Sequence, residues 1–107
     1  MVRGDVHAVN LPGGRGRAQS GRRYAVIVQA DRMLAMSTVV VCPTSQSAGE
    51  ASFRPQIEVA GDETQVLCEM VGHVDMGRLG DQVDHLSRDE IDAVDDALEL
   101  VLGLRSR

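Results

Sequence analysis

Apolar and polar positions follow two different rules along the chain. Up to about residue 86 the apolar residues come in short runs broken by polar, Gly or Pro positions, and from Ser87 onward they recur at helical spacing. "DVHAVNL", Asp5 to Leu11, alternates in part and breaks at Pro12-Gly13-Gly14, which predicts a first strand running into a loop. Tyr24 to Ala30 and Ser37 to Cys42 are β-branched and apolar throughout, as buried central strands are. Gln56 to Ala60 is a fourth strand, and "TQVLCEMVGHVD", residues 64 to 75, a fifth with a bulge or bend at Gly72. A sixth lies near Asp81 to His85.

After these, Ser87 with Glu90 forms a capping box, and Asp89 and Glu90 put negative charge where a helix dipole favours it. Ile91, Val94, Leu98 and Val101/Leu102 then mark one apolar stripe, with Asp92, Asp95, Asp96 and Glu99 on the wet face and Gly103 as the stop. A helix over roughly 88–102 follows. Its acids read as a solvated face, because calcium loops need their ligands in a glycine-containing turn. Five or six short strands closed by one helix describe a mainly β chain: a small, strongly bent antiparallel sheet or barrel, with all of residues 1–107 in one domain.

Composition narrows the chemistry. One Phe, one Tyr and no Trp leave the core to Val, Leu, Ile, Ala and Met. No run nears the roughly 18 apolar residues of a membrane span, and the N-terminus has no signal-peptide core, so the expected location is the cytoplasm. Cys42 and Cys68 sit in apolar runs without metal spacing and read as reduced, buried thiols. The chain lacks a phosphate loop, a GxSxG elbow, an HExxH helix and a zinc-type Cys/His set, so no cofactor or metal is expected. His7, His73 and His85 are isolated and read as exposed imidazoles.

Charge is uneven. Net charge is -5, yet residues 1–54 carry seven Arg against three acids, and residues 55–107 four Arg against thirteen. Arg15, Arg17, Arg22 and Arg23 gather in or beside one Gly-rich loop, and the fork of an Arg side chain suits phosphate. If the strands flanking residues 31–36 form a hairpin, Arg22 and Arg23 come near Thr44 and Ser45 of "PTSQS", a cradle for phosphate charge.

"RGDVHAVNL", "GRRYAVIVQAD", "STVVVCPTSQ", "VLCEMVGHVDMGRL" and "LSRDEIDAVDDALELVLGL" resemble, in order and spacing, the MazF/PemK/Kid toxin endoribonucleases of type II toxin-antitoxin systems. The resemblance covers nearly the whole chain. It implies an SH3-like barrel with a C-terminal helix, a homodimer, an antitoxin partner, and metal-free, sequence-specific cleavage of single-stranded RNA that inhibits translation and growth. By position, Arg23 and Thr44 take the catalytic roles. Arg15, Arg17, Arg22, Ser45, Gln46 and His7 are the implied RNA contacts, His7 standing where the family often carries Tyr or Trp. Two departures bear on this. Met70 stands where the family commonly has Gln, and Gly72 where it has a basic residue, at positions that help hold RNA. Tyr24 replaces a proline after the arginine. The alternative is a catalytically degenerate barrel that only binds protein, an antitoxin or a gyrase-like target. The ending "GLRSR" lacks the Trp-Gly-Ile tail of the CcdB gyrase poisons. A structural subunit of a larger complex would leave the loop arginines unexplained.

Overall fold

The computed structural model describes residues 1–10 and 23–104. Seven strands, β1 (Asp5–Val9), β2 (Tyr24–Ile27), β3 (Thr38–Ser45), β4 (Gln56–Val59), β5 (Asp62–Val66), β6 (Gly72–Asp75) and β7 (Leu79–His85), precede one helix, α1 (Arg88–Leu102). They form one antiparallel sheet in the order β4-β5-β3-β2-β1-β7, with β6 also on β3. The sheet curls into a half-barrel. At the closing side the Ala60 N–H donates to Asp84 Oδ2 at 2.8 Å and the Glu58 N–H to Glu90 Oε2 at 3.0 Å.

The longest strand, β3, organises the sheet. Its first half, Thr38–Val41, pairs with β6, and its end, Thr44–Ser45, pairs with β5. The expected single fifth strand is therefore two. Both halves lie along the same edge of β3, but their registers differ by three residues, and a 3-10 turn at Cys68–Met70 takes up that difference. The bend falls just before Gly72. β3 also runs three residues past its expected end at Cys42, through Pro43. Proline removes a donor from a ladder. Here the loss is small, because Pro43 still accepts from the Leu67 N–H at 2.8 Å while Leu67 (ψ 79°) is already leaving the ladder.

β2 and β3 have no polar alternation because both their faces are covered. Val6, Val26, Cys42, Val66 and Cys68 point into one core, which α1 seals with Val94, Ala97 and Leu98. Ala25, Ile27, Val39 and Val41 point into a second, under Val9, Leu34, Val74, Met76 and Leu79. The helix is the predicted one: the Ser87 hydroxyl accepts from the Glu90 N–H at 3.1 Å, the Glu90 carboxylate accepts from the Ser87 N–H at 2.8 Å, and Gly103 caps the end. Gly4 is required where it stands. Its φ is +96°, and a Cβ there would lie 2.9 Å from Ile91 Cδ1. The β4–β5 hairpin closes through Ala60 (φ 51°) and Gly61 (φ 91°), the two positive-φ positions of a type I′ turn. Among the described residues no helix is long and apolar enough to cross a membrane.

Candidate active site

The hairpin between β2 and β3 exists. Ala25 faces Pro43, Val26 faces Cys42 and Ile27 faces Val41, so one further step puts Tyr24 across from Thr44 and a second puts Arg23 across from Ser45. Thr44 confirms that step by donating its hydroxyl hydrogen to the Tyr24 carbonyl at 3.3 Å. Arg23, half-buried at the mouth of β2, is tied by its own carbonyl to the Val9 N–H at 3.0 Å. Strand alternation puts Thr44 and Tyr24 on the α1-sealed face and Arg23 and Ser45 on the other, so the two candidates are diagonal neighbours.

Thr44 is buried at 4% exposure, and its only hydroxyl proton is engaged. The 3.3 Å contact is well beyond the ~2.7–2.8 Å of a good O–H···O bond, so the hydroxyl is only weakly held. Ser45 accepts from the Ser47 N–H at 3.3 Å, folding the end of β3 into a local turn. Gln46 reaches across to the Glu63 carbonyl at 3.4 Å, with its chain exposed.

His7 departs from expectation. It is buried at 9% exposure, where β1 and β7 slip out of even register. Nδ1 lies 2.9 Å from the Gly80 carbonyl, which only accepts, so the ring proton belongs on Nδ1. Nε2 is left without a partner among the described residues. A stacking ring needs an accessible face, which His7 lacks, and it serves instead as a brace between β1 and β7. His73 and His85 are exposed as predicted, although His85 Nδ1 pairs with Asp5 Oδ1 at 2.7 Å. Burial alone would raise the Asp5 carboxyl, but the Val2 N–H and His85 outweigh it and hold Asp5 below the ordinary carboxylate range. Arg15, Arg17 and Arg22 lie outside the described residues.

Beside the hairpin, on the Arg23 face, is an open groove of about 370 Å³. Val41 and Pro43 of β3 form one wall, and Met70, Gly72, His73, Asp75 and Arg78 the rest. Met70 and Gly72, the two departures noted in the sequence, thus border one cavity with an exposed imidazole and a guanidinium. Sequence reading missed His73 and Arg78 as site residues. Arg78 and Asn10 bond reciprocally: the Arg78 Nη1 donates to the Asn10 carbonyl at 3.2 Å and the Asn10 N–H to the Arg78 carbonyl at 3.1 Å. The arginine-rich stretch is therefore flanked by Asn10, fixed at the groove, and by Arg23, at the hairpin. At the other end Glu69, next to Met70, is held by Arg54 at 2.8 and 3.0 Å, and that guanidinium lowers the Glu69 carboxyl.

Comparison with known proteins agrees with this fold. Residues 2–102 match the family of PemK-like, MazF-like toxins of type II toxin-antitoxin systems. Over 106 residues the chain is 41% identical to a Mycobacterium tuberculosis protein designated a candidate toxin, Rv3098A, covering 97% of this chain and 99% of that protein. An endoribonuclease of a mycobacterial species, solved with its cognate antitoxin, superposes with a TM-score of 0.82 at 17% identity, covering 100% of this chain and 99% of the other. MazF of Deinococcus radiodurans gives 0.79 at 22%, with 96% of each chain covered. Chain-length agreement in family, sequence relative and fold leads to one conclusion: this protein belongs to the PemK-like, MazF-like toxin family of type II toxin-antitoxin systems.

Proposed function

We propose that this toxin is a sequence-specific endoribonuclease that cuts single-stranded RNA without a metal ion and thereby arrests translation and growth. The observation that carries the reading is the β2–β3 ladder, which sets Arg23 one register step from Thr44, with a groove lined by His73 and Arg78 on the Arg23 face of the same hairpin. Support comes from the family and from fold neighbours described as endoribonucleases.

In this reading the ribose 2′-OH attacks the adjacent phosphorus and the 5′ oxygen leaves, giving a 2′,3′-cyclic phosphate and a 5′-OH. Arginine holds its proton firmly and is a poor base at neutral pH. Arg23 therefore stabilises the developing phosphorane charge and donates toward the leaving oxygen. Thr44 exchanges its long bond to Tyr24 for a nonbridging oxygen. Arg15, Arg17 and Arg22, with Ser45 and Gln46, bind the RNA backbone. A second copy of the chain and an acidic antitoxin segment are the protein partners; fold neighbours were solved as antitoxin complexes.

The test is antitoxin-free protein with a long single-stranded RNA in EDTA, with ends mapped by primer extension. Cleavage at a short recurring sequence, lost in Arg23→Ala and in Thr44→Val, is the expected result. Normal cleavage by a folded Arg23→Ala protein overturns the mechanism. One observation favours the rival, a barrel that only binds protein: the groove wall offers a thioether at Met70 and no side chain at Gly72 where an RNA site would present polar groups. No cleavage by the folded wild type, with antitoxin binding intact, selects that rival.

A further inference from the structure

Cys42 and Cys68 are distant in sequence and neighbours in space. Thr44 faces Val66 and the Leu67 N–H bonds the Pro43 carbonyl, so Cys68, which opens the 3-10 turn directly after Leu67, is delivered beside Cys42, the residue before Pro43. Both are fully buried in the one core that α1 seals.

We propose that Cys42 and Cys68 are a redox pair that hydrogen peroxide converts into an intramolecular disulfide, stapling the 68–70 turn to β3 two residues from Thr44. The two thiols are chemically unequal. Burial and the close thiol partner push Cys42 up. Cys68 heads a short 3-10 turn whereas Cys42 lies within β3, laddered to β2, so local opening uncovers Cys68 first and makes it the attacking sulfur. Its thiolate takes one peroxide oxygen, becoming a sulfenic acid, and the hydroxide released is protonated to water. Cys42 then gives up its proton and attacks the sulfenic sulfur, expelling the second oxygen as water. Two thiols and one peroxide become one disulfide and two waters.

The consequence falls on the groove. Cys68 and Met70 share a single 3-10 turn, and Met70 borders the cavity while Glu69 is clamped by Arg54. Closing the disulfide ties the start of that turn covalently to β3. Burial screens the pair from bulky oxidants, whereas peroxide is small enough to enter when one short turn opens locally.

The experiment needs only the full chain. Reduced protein is exposed to hydrogen peroxide, quenched, denatured and alkylated, and its intact mass is read. Reduced protein accepts two alkyl groups; oxidised protein accepts none, is lighter by two hydrogens, stays monomeric in covalent terms, and melts at a higher temperature until dithiothreitol restores the original Tm. With dimedone as the trap, Cys42→Ala accumulates the sulfenic acid on Cys68 and Cys68→Ala does not label at Cys42. Two alkylatable thiols after peroxide, or a disulfide found only between chains, overturns the proposal. The reverse labelling pattern overturns the assignment of Cys68 as the attacking sulfur. None of these readouts depends on RNA cleavage.

Discussion

The two faces of the β2–β3 hairpin are built from interleaved residues of the same apolar runs, yet they meet different fates. Val26 and Cys42 enter a core that the chain closes with its own helix, whose acidic side stays in water. Ala25, Ile27 and Val41 enter a second core that ends in a groove with Met70 59% exposed. Arg23 belongs to the second face and Thr44 to the first. Thr44 apart, the difference separates what the chain needs in order to fold from what it presents to a ligand, and mutations on the two faces should separate in the same way.

The sealed face gives the largest effect. Val94 is 2% exposed, and Val94→Asp buries a carboxylate with no partner, costing about 4 kcal/mol or more. Loss of the cooperative thermal transition by circular dichroism is the expected outcome. On the groove face, Arg23→Ala should lower RNA cleavage by about 10²–10³-fold while leaving Tm within a few degrees, because in the proposed mechanism it removes the charge-stabilising donor, and Arg23 is a member of neither core cluster. Parallel losses of cleavage and of Tm would show that Arg23 belongs to the fold instead. Ser87→Ala returns to the sealed face at a smaller scale: it deletes one half of the capping box, and chemical denaturation should report about 1 kcal/mol. Met70→Gln is smaller still in stability, within about 0.5 kcal/mol for so exposed a position, and its effect should appear in the RNA cut-site preference.

Legibility in the sequence follows the same division. The helix, its cap and its stop were readable because they rest on local signals: Ser87, Glu90, the apolar stripe and Gly103 act within a few residues of one another. The β2–β3 hairpin was readable because unbroken β-branched runs have few other uses. The split of residues 64–75 was not, since its cause is the register of two segments against β3, a non-local quantity that no window of sequence contains. The same holds for the burial of His7, fixed by Gly80 far along the chain, and for the meeting of Cys42 with Cys68. His73 and Arg78 were passed over as isolated polar residues, and only the fold of β6 and the turn after it gathers them at one groove. The arginine cluster was visible as composition, but only Arg23 of it falls within the described structure.

The smallest effect is set by acid, and its sign follows from the lowered carboxylates. Asp5 accepts from the Val2 N–H and from His85, and Asp84 from the N–H groups of Ala60 and His85, so both remain ionised in the fold at a pH where the unfolded chain takes up protons. Below the usual carboxylate value the unfolded state binds more protons, and stability therefore rises with pH through that window. The contribution is fully present above the unfolded values, near pH 4, and is lost as pH falls through the lower folded ones. Melting temperature should be level from pH 7 down to about 5 and decline below about 4. Asp5 is the sharper probe, because its carboxylate joins the N-terminal turn to β7 through His85 and Gln82, whereas Asp84 ties β7 to the β4–β5 turn at a more exposed place. Asp5→Asn should lower Tm at pH 7 and flatten its decline in acid, since an amide has no proton to gain. An unchanged acid slope in Asp5→Asn would mean that the acid sensitivity belongs to the other lowered carboxylates, Asp84 at the β4–β5 turn and Glu69 with Arg54, which Asp84→Asn and Glu69→Gln then tell apart.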